Sequence, residues 1–164
     1  MASLKLAYGS AVTLTKTNAN LASSATAGWQ SDGQDNSTNL YVDALVQVSL
    51  AAVNTAPASN QAIYLFAFGA ADGTNYGTTG AAGVTGSEGT LTFPSIATLA
   101  QVAPLLGVIP YPVQNVAILS KPFSIAQALG GILPSKYSIG MINFSGMTLS
   151  VTSIKIIPVY ATIA

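Results

Sequence analysis

Apolar and polar residues alternate with a period of two along several short stretches of this chain. The longest is residues 40–53, where the even-numbered residues from Leu40 onward are all apolar and the odd-numbered ones are mixed. This alternation is typical of a strand that buries one face. Residues 63–68 (IYLFAF) are instead an uninterrupted apolar run, rich in aromatic and β-branched side chains. That composition favours a fully buried strand.

Further strands are predicted where short apolar runs are bounded by Gly, Pro, Asn or Ser. They cover residues 4–8, 12–16, 91–93, 105–109, 113–120, 136–144 and 147–163. One helical turn is expected at residues 124–129, because Ser124 can cap it and two glycines follow it. The pattern indicates an all-β protein: a β-sandwich of jelly-roll type with at most one short helical turn, formed by residues 1–164 as a single domain.

Residues 70–89 interrupt this pattern with a stretch that is rich in glycine, threonine and alanine. Ordering such a segment costs backbone entropy, on the order of 1–2 kcal/mol per residue. Tyr76 and Val84 are the only large apolar side chains in it that can offset this cost. We therefore expect a loop that is mobile in the free protein and becomes ordered against a partner, with Tyr76 as its anchor.

The amino-acid composition then narrows the class of function. The 164 residues include no His, no Cys and no Arg, and the ten charged residues are five Lys and five Asp or Glu. General acid–base catalysis relies most often on His, thiolate chemistry needs Cys, and bidentate binding of phosphate needs Arg. We therefore predict a protein that makes contacts and is not an enzyme, with no catalytic, cofactor-binding or metal-binding residues.

Hydrophobic residues make up 50 % of the chain, charged residues 6 %, and the net charge is zero. A surface with so few charges favours association. No apolar run approaches the roughly 20 residues of a membrane-spanning helix, and the lysines are too scattered for nucleic-acid binding. The expected partners are therefore proteins, including further copies of this chain, and neither a membrane nor nucleic acid.

A few motifs carry possible chemistry or recognition. Residues 32–36 (DGQDN) contain the oxygen ligands that Ca²⁺ uses, but no Glu follows nearby, so a solvated turn is expected there. The aromatic residues that lie near predicted turns are candidate partner contacts. They are Trp29, Tyr41, Tyr76 and Tyr111. Exposed aromatic rings anchor protein interfaces, but they also stack on sugars, so both kinds of partner remain open at this point.

Several longer segments resemble those of a known protein family: MASLKLAYGSAVTLT, GWQSD followed by NLYVDALVQV, GSEGTLTFPSI, PLLGVIPYP and NFSGMTLSVTSIKI. Through them the chain resembles, over nearly its whole length, the small capsid decoration (cement) proteins of tailed bacteriophages. The resemblance implies a structural virion protein on the capsid surface, made in the host cytoplasm, with the major capsid protein as its partner. It implies no site residues, because the shared segments are packing and turn motifs.

Self-association is also expected, and a homotrimer is favoured because capsid three-fold positions offer matching symmetry. The alternative function is a carbohydrate-binding module of a head fibre or tail.

Overall fold

The computed structural model describes residues 3–56, 62–77, 83–110 and 114–163. Within that part there are two short helices, α1 (Ile96–Leu99) and α2 (Ile125–Ala128). The strands are β1 (Leu4–Tyr8), β2 (Val12–Thr13), β3 (Asn20–Leu21), β4 (Ala27–Gln30), β5 (Gln34–Asp35), β6 (Asp43–Leu50), β7 (Ala62–Ala70), β8 (Gly89–Thr92), β9 (Leu105–Pro110), β10 (Ile118–Leu119), β11 (Phe123–Ser124), β12 (Lys136–Asn143) and β13 (Leu149–Ile163).

The strands form two sheets that pack against each other. Sheet 1 has the order β1-β13-β6-β10, with β2 and β3 also paired to β13 and β11 also paired to β6. Sheet 2 has the order β8-β4-β12-β7-β9, with β5 also paired to β12. All of these strand pairs are antiparallel.

The antiparallel pairs nest inside one another along the chain. β1 pairs with β13, β4 with β12, β6 with β10 and β11, and β7 with β9. A long two-stranded ribbon that folds over into two sheets has this connectivity, which is that of a jelly roll. The prediction of an all-β sandwich is confirmed.

The helical turn expected at residues 124–129 is present as α2, and the Ser124 hydroxyl caps it by accepting a hydrogen bond from the Gln127 amide. The expectation of at most one turn is exceeded, because α1 is a second. Ser95 caps α1 in the same way through the Thr98 amide. Both helices are single turns that connect strands.

The larger core lies between the two sheets. In β6 the residues alternate strictly between buried even positions and half-buried odd positions, as the sequence pattern predicts. The five residues expected to face each other in this core are at most 2 % exposed: Val46, Val48, Ile63, Leu65 and Ile154. The prediction of this core is confirmed.

A second core covers the outer face of sheet 2. Phe66 and Phe68 of β7 lie in it, together with Leu91, Leu99 and other residues of the stretch from β8 to β9. β7 is therefore buried on both faces, which explains why residues 63–68 carry no polar side chain. Sheet 2 is thus an internal layer, whereas no comparable core covers the outer face of sheet 1 in the part of the chain that the structure describes.

Some strands differ from the expectation. β2 ends at Thr13, and of the described residues 114–120 only Ile118 and Leu119 form β10; residue 113 lies outside the described residues. Three strands between residues 20 and 35 are not predicted by the sequence pattern, and one of them, β4, lies between β8 and β12. β4 carries Gly28 and the polar Gln30, so it lacks the apolar alternation on which the strand predictions depend.

Candidate interaction surfaces

The first candidate surface lies on β1 and the end of β13. Leu4, Leu6, Tyr8 and Ile163 are 74 %, 66 %, 68 % and 80 % exposed, and we call these four residues the ribbon face. The strand register places Leu4 opposite Ile163 and brings all four side chains to one side of the two-stranded ribbon. The edge of sheet 1 therefore carries a cluster of adjacent, exposed apolar side chains.

The ribbon face points away from the core. On β13, Ile154 and Ile156 are buried between the sheets, while Lys155 between them is exposed. Ile163 is an even number of residues from Lys155, and side chains alternate along a strand, so both lie on the outer side of sheet 1. Single exposed apolar side chains are ordinary, whereas a contiguous group of them marks a site of interaction.

The second candidate surface is a groove at the opposite edge of the sandwich. It runs between β9 of sheet 2 and β10 and β11 of sheet 1, and we call it the edge groove. Two adjoining hollows form it, of about 620 Å³ and about 370 Å³, and both are lined by Val108, Lys121 and Phe123. The Phe123 ring forms its floor and lies so close to Gly107 that a Cβ there would be 2.2 Å from the ring.

Trp29 is not exposed, contrary to the expectation from its position near a turn. Only 4 % of the residue is accessible, because β4 holds it within the sandwich. Its indole Nε1–H donates to Glu88 Oε1 at 2.8 Å, and the Thr17 hydroxyl donates to Glu88 Oε2 at 2.8 Å. These hydrogen bonds, led by that of Trp29, lower the pKa of Glu88 below its usual value. Trp29 therefore has a structural position.

Tyr76 is also buried, at 9 % exposed, and lies in the second core with Val84. Its ring lies against Gly33 and Gly86, where a Cβ would come within 2.3 Å and 2.5 Å of ring atoms or the hydroxyl. The expectation that residues 70–89 offer too little apolar surface to pack is wrong for their described part. Tyr76 and Val84 supply part of the cover of sheet 2. Residues 78–82 lie outside the described residues.

The other two aromatic candidates have different outcomes. Tyr41 is half-buried; Asn36 holds its backbone through two hydrogen bonds, and its ring is 6.4 Å from that of Tyr160. A partial ring surface is thus left for a partner, and its role as a contact stays a prediction. Tyr111 lies outside the described residues.

The acidic loop at residues 32–36 uses its side chains to hold the fold. Asp32 accepts a hydrogen bond from the Glu88 amide at 2.7 Å, and Asp35 accepts from the amide and hydroxyl of Ser37. Within the described part of the chain, no group of three or more acidic side chains is placed to hold a metal ion. Also within that part, no helix has the length and apolar character needed to cross a membrane.

Comparison of the chain with protein-family models, with curated proteins and with solved structures finds no match.

The sequence pattern contained the signal for the ribbon face, since apolar residues alternate in β1. Alternation alone predicts a strand with one buried face. It does not reveal that this strand lies at a sheet edge, with its apolar side turned outward.

Proposed function

We propose that this protein is a structural virion component that binds the outside of a phage capsid and stabilises it. The observation that carries the proposal is the ribbon face, four large apolar side chains that the described residues leave 66–80 % exposed. The resemblance of the sequence to capsid decoration proteins supplies the partner, the major capsid protein. The low charge of the chain supports the same interpretation, because a largely neutral surface suits close contact with neighbouring subunits.

The size of the ribbon face sets the strength of such a contact. Complete burial of a large apolar side chain contributes about 1.5–3 kcal/mol. The four side chains are between 66 % and 80 % exposed, so covering them contributes about 4–8 kcal/mol before the cost of association is subtracted. One copy would bind only modestly by this face. Self-association into a homotrimer would let three such faces bind together, which raises the overall affinity without a new kind of contact.

Stabilisation of the shell then follows from mass action. A ligand that binds the assembled shell and not the separated subunits lowers the free energy of the shell. This role needs no bond making and draws only on the contact surfaces.

The alternative, a carbohydrate-binding module of a head fibre or tail, needs aromatic ring faces that are open to a sugar. Of its four candidates, Trp29 and Tyr76 are buried. Two of the four expected sugar contacts are therefore lost, whereas Tyr8 of the ribbon face is 68 % exposed and could serve either kind of partner.

The test is to add the protein back to capsids purified from phage that lack its gene. We expect the native protein to sediment with the shells and to raise the temperature at which they release DNA. Replacement of both Leu4 and Leu6 by serine removes about 2–4 kcal/mol of apolar contact. The double variant should therefore need at least a tenfold higher concentration to sediment with the shells and to raise the release temperature.

The matched control is Ile132→Ser. Ile132 is 77 % exposed but lies between α2 and β12, outside the ribbon face. It should behave as the native protein does. Failure of the native protein to sediment with shells, or an equal loss in the Ile132→Ser variant, would contradict the proposal.

A further inference from the structure

The edge groove lies where both sheets of the sandwich end. β9 is the last strand of sheet 2 and, among the described strands, pairs with β7 alone. β10 and β11 form the corresponding edge of sheet 1, and both pair only with β6 in the same part of the chain. Backbone N–H and C=O groups on the outer side of an edge strand are available for an added strand.

Three apolar side chains are exposed along the rim of the groove. Leu105 is 48 % exposed, Val108 36 % and Leu119 67 %. Its larger hollow, at about 620 Å³, is within the range of roughly 300–1,000 Å³ found for binding clefts. An extended segment with apolar side chains at alternate positions would bond to a strand edge and place those side chains against the rim.

Charge restricts the occupant further. Lys121 is the only charged residue that lines either hollow among the described residues, and its ammonium lies 5.5 Å from the centre of the Phe123 ring. No acidic side chain lines the groove in that part of the structure. A segment with a carboxylate would therefore complement the groove. The β1 strand of a second copy (LKLAY) carries Lys5 and no carboxylate, so it lacks the group that would complement Lys121.

We propose that the edge groove is a receptor for an extended, mostly apolar peptide segment that carries a carboxylate, and that this segment pairs with β9 as an added strand. The segment belongs to another protein. This inference does not depend on the capsid role, because it concerns the opposite edge of the sandwich from the ribbon face.

The test is a selection from a random library of nine-residue peptides on the immobilised full-length protein. We expect the selected peptides to share apolar residues at alternate positions and at least one Asp or Glu. In hydrogen–deuterium exchange, a selected peptide should protect the amides of β9. Lys121→Glu should weaken its binding about tenfold, because the attraction of Lys121 to the carboxylate is replaced by a repulsion.

Matched variants at the other edge serve as controls. Lys5→Glu and Leu4→Ser should leave peptide binding unchanged. Leu119→Ser, in the groove, should weaken it. Leu119 is 67 % exposed and Leu4 is 74 % exposed, so neither serine substitution disturbs the core. Absence of a shared pattern in the selected peptides, protection outside β9, or equal binding by the Lys121→Glu variant would overturn the proposal. Equally, competition by a peptide with the sequence LKLAY of β1 would show that the occupant is a second copy.

Discussion

Replacement of Leu65 by alanine should strongly destabilise the protein. Leu65 lies in β7, between Met141 of β12 and Gly107 of β9, and its side chain is completely buried in the core between the sheets. The substitution removes three carbon atoms from this core. At about 0.8 kcal/mol for each buried CH₂, the lost transfer free energy is about 2.4 kcal/mol.

The cavity that remains adds to this cost, because strands paired on both sides of β7 limit how far the site can collapse. Buried Leu→Ala substitutions cost about 2–5 kcal/mol in total, so we expect about 3–4 kcal/mol here. For a chain of this size each kcal/mol lowers the melting temperature by roughly 2–4 °C. The expected decrease is therefore about 6–16 °C.

The matched control is the same substitution at Leu4, which is 74 % exposed. Surface changes of this kind usually alter the free energy of unfolding by less than about 0.5 kcal/mol. Urea denaturation followed by circular dichroism measures both variants. A Leu65→Ala variant that loses less than about 1 kcal/mol, or a Leu4→Ala variant that loses as much, would refute the assignment of these two faces.

Two further perturbations test other parts of the structure. Hydrogen bonds in the folded state lower the pKa of Glu88, so its carboxylate stabilises the fold fully above the unfolded pKa, and this stabilisation is lost as the pH falls through the folded pKa. The fluorescence of Trp29, the single tryptophan and a donor to Glu88, should change in that acidic range. Glu88→Gln should remove this change. Gly140→Ala should cost about 1–3 kcal/mol, since its Cβ would lie 2.7 Å from the Phe68 ring. Gly83→Ala should be neutral in thermal denaturation, because no described atom outside its chain neighbours lies within 4 Å of the Cβ that it adds.

The strands with a strong periodic signal could be predicted from the sequence because their burial follows from local pattern. Alternation in β6 reflects one face on the core, and the apolar run of β7 reflects two buried faces. The cap of α2 is local too, since Ser124 bonds to an amide three residues ahead. In each case the residues that decide the structure are close together in the chain.

β4 could not be predicted because distant residues define it. Gly28 is needed there, as a Cβ would lie 2.5 Å from the carbonyl oxygen of Met141. Gln30 is 2 % exposed, and its side chain bonds to the backbone of Gly83 and Thr85. In the sequence these residues do not look like a strand, because glycine is depleted in strands and the polar Gln30 interrupts the apolar alternation.

The exposure of two aromatic candidates, Trp29 and Tyr76, was wrongly predicted for a related reason. Proximity to Gly and Ser suggested exposure of Trp29 and Tyr76, yet small residues next to an aromatic ring also make room for it. Gly33 and Gly86 do so for Tyr76, across a separation in the chain that sequence periodicity does not detect. Burial of a ring depends on which segments meet, and that information lies in the tertiary contacts.

The outer faces of the two sheets differ in how far their apolar side chains are covered by the rest of the chain. The outer face of sheet 2 is covered by the chain itself, through Tyr76, Val84 and the stretch around α1. Among the described residues no second core is present on the outer face of sheet 1, and the four side chains of the ribbon face remain 66–80 % exposed. Exposure of this extent at neighbouring positions leaves apolar surface in water, a cost that a bound partner would remove. A partner is therefore expected on sheet 1, and the strongest loss of association should come from substitutions on the ribbon face.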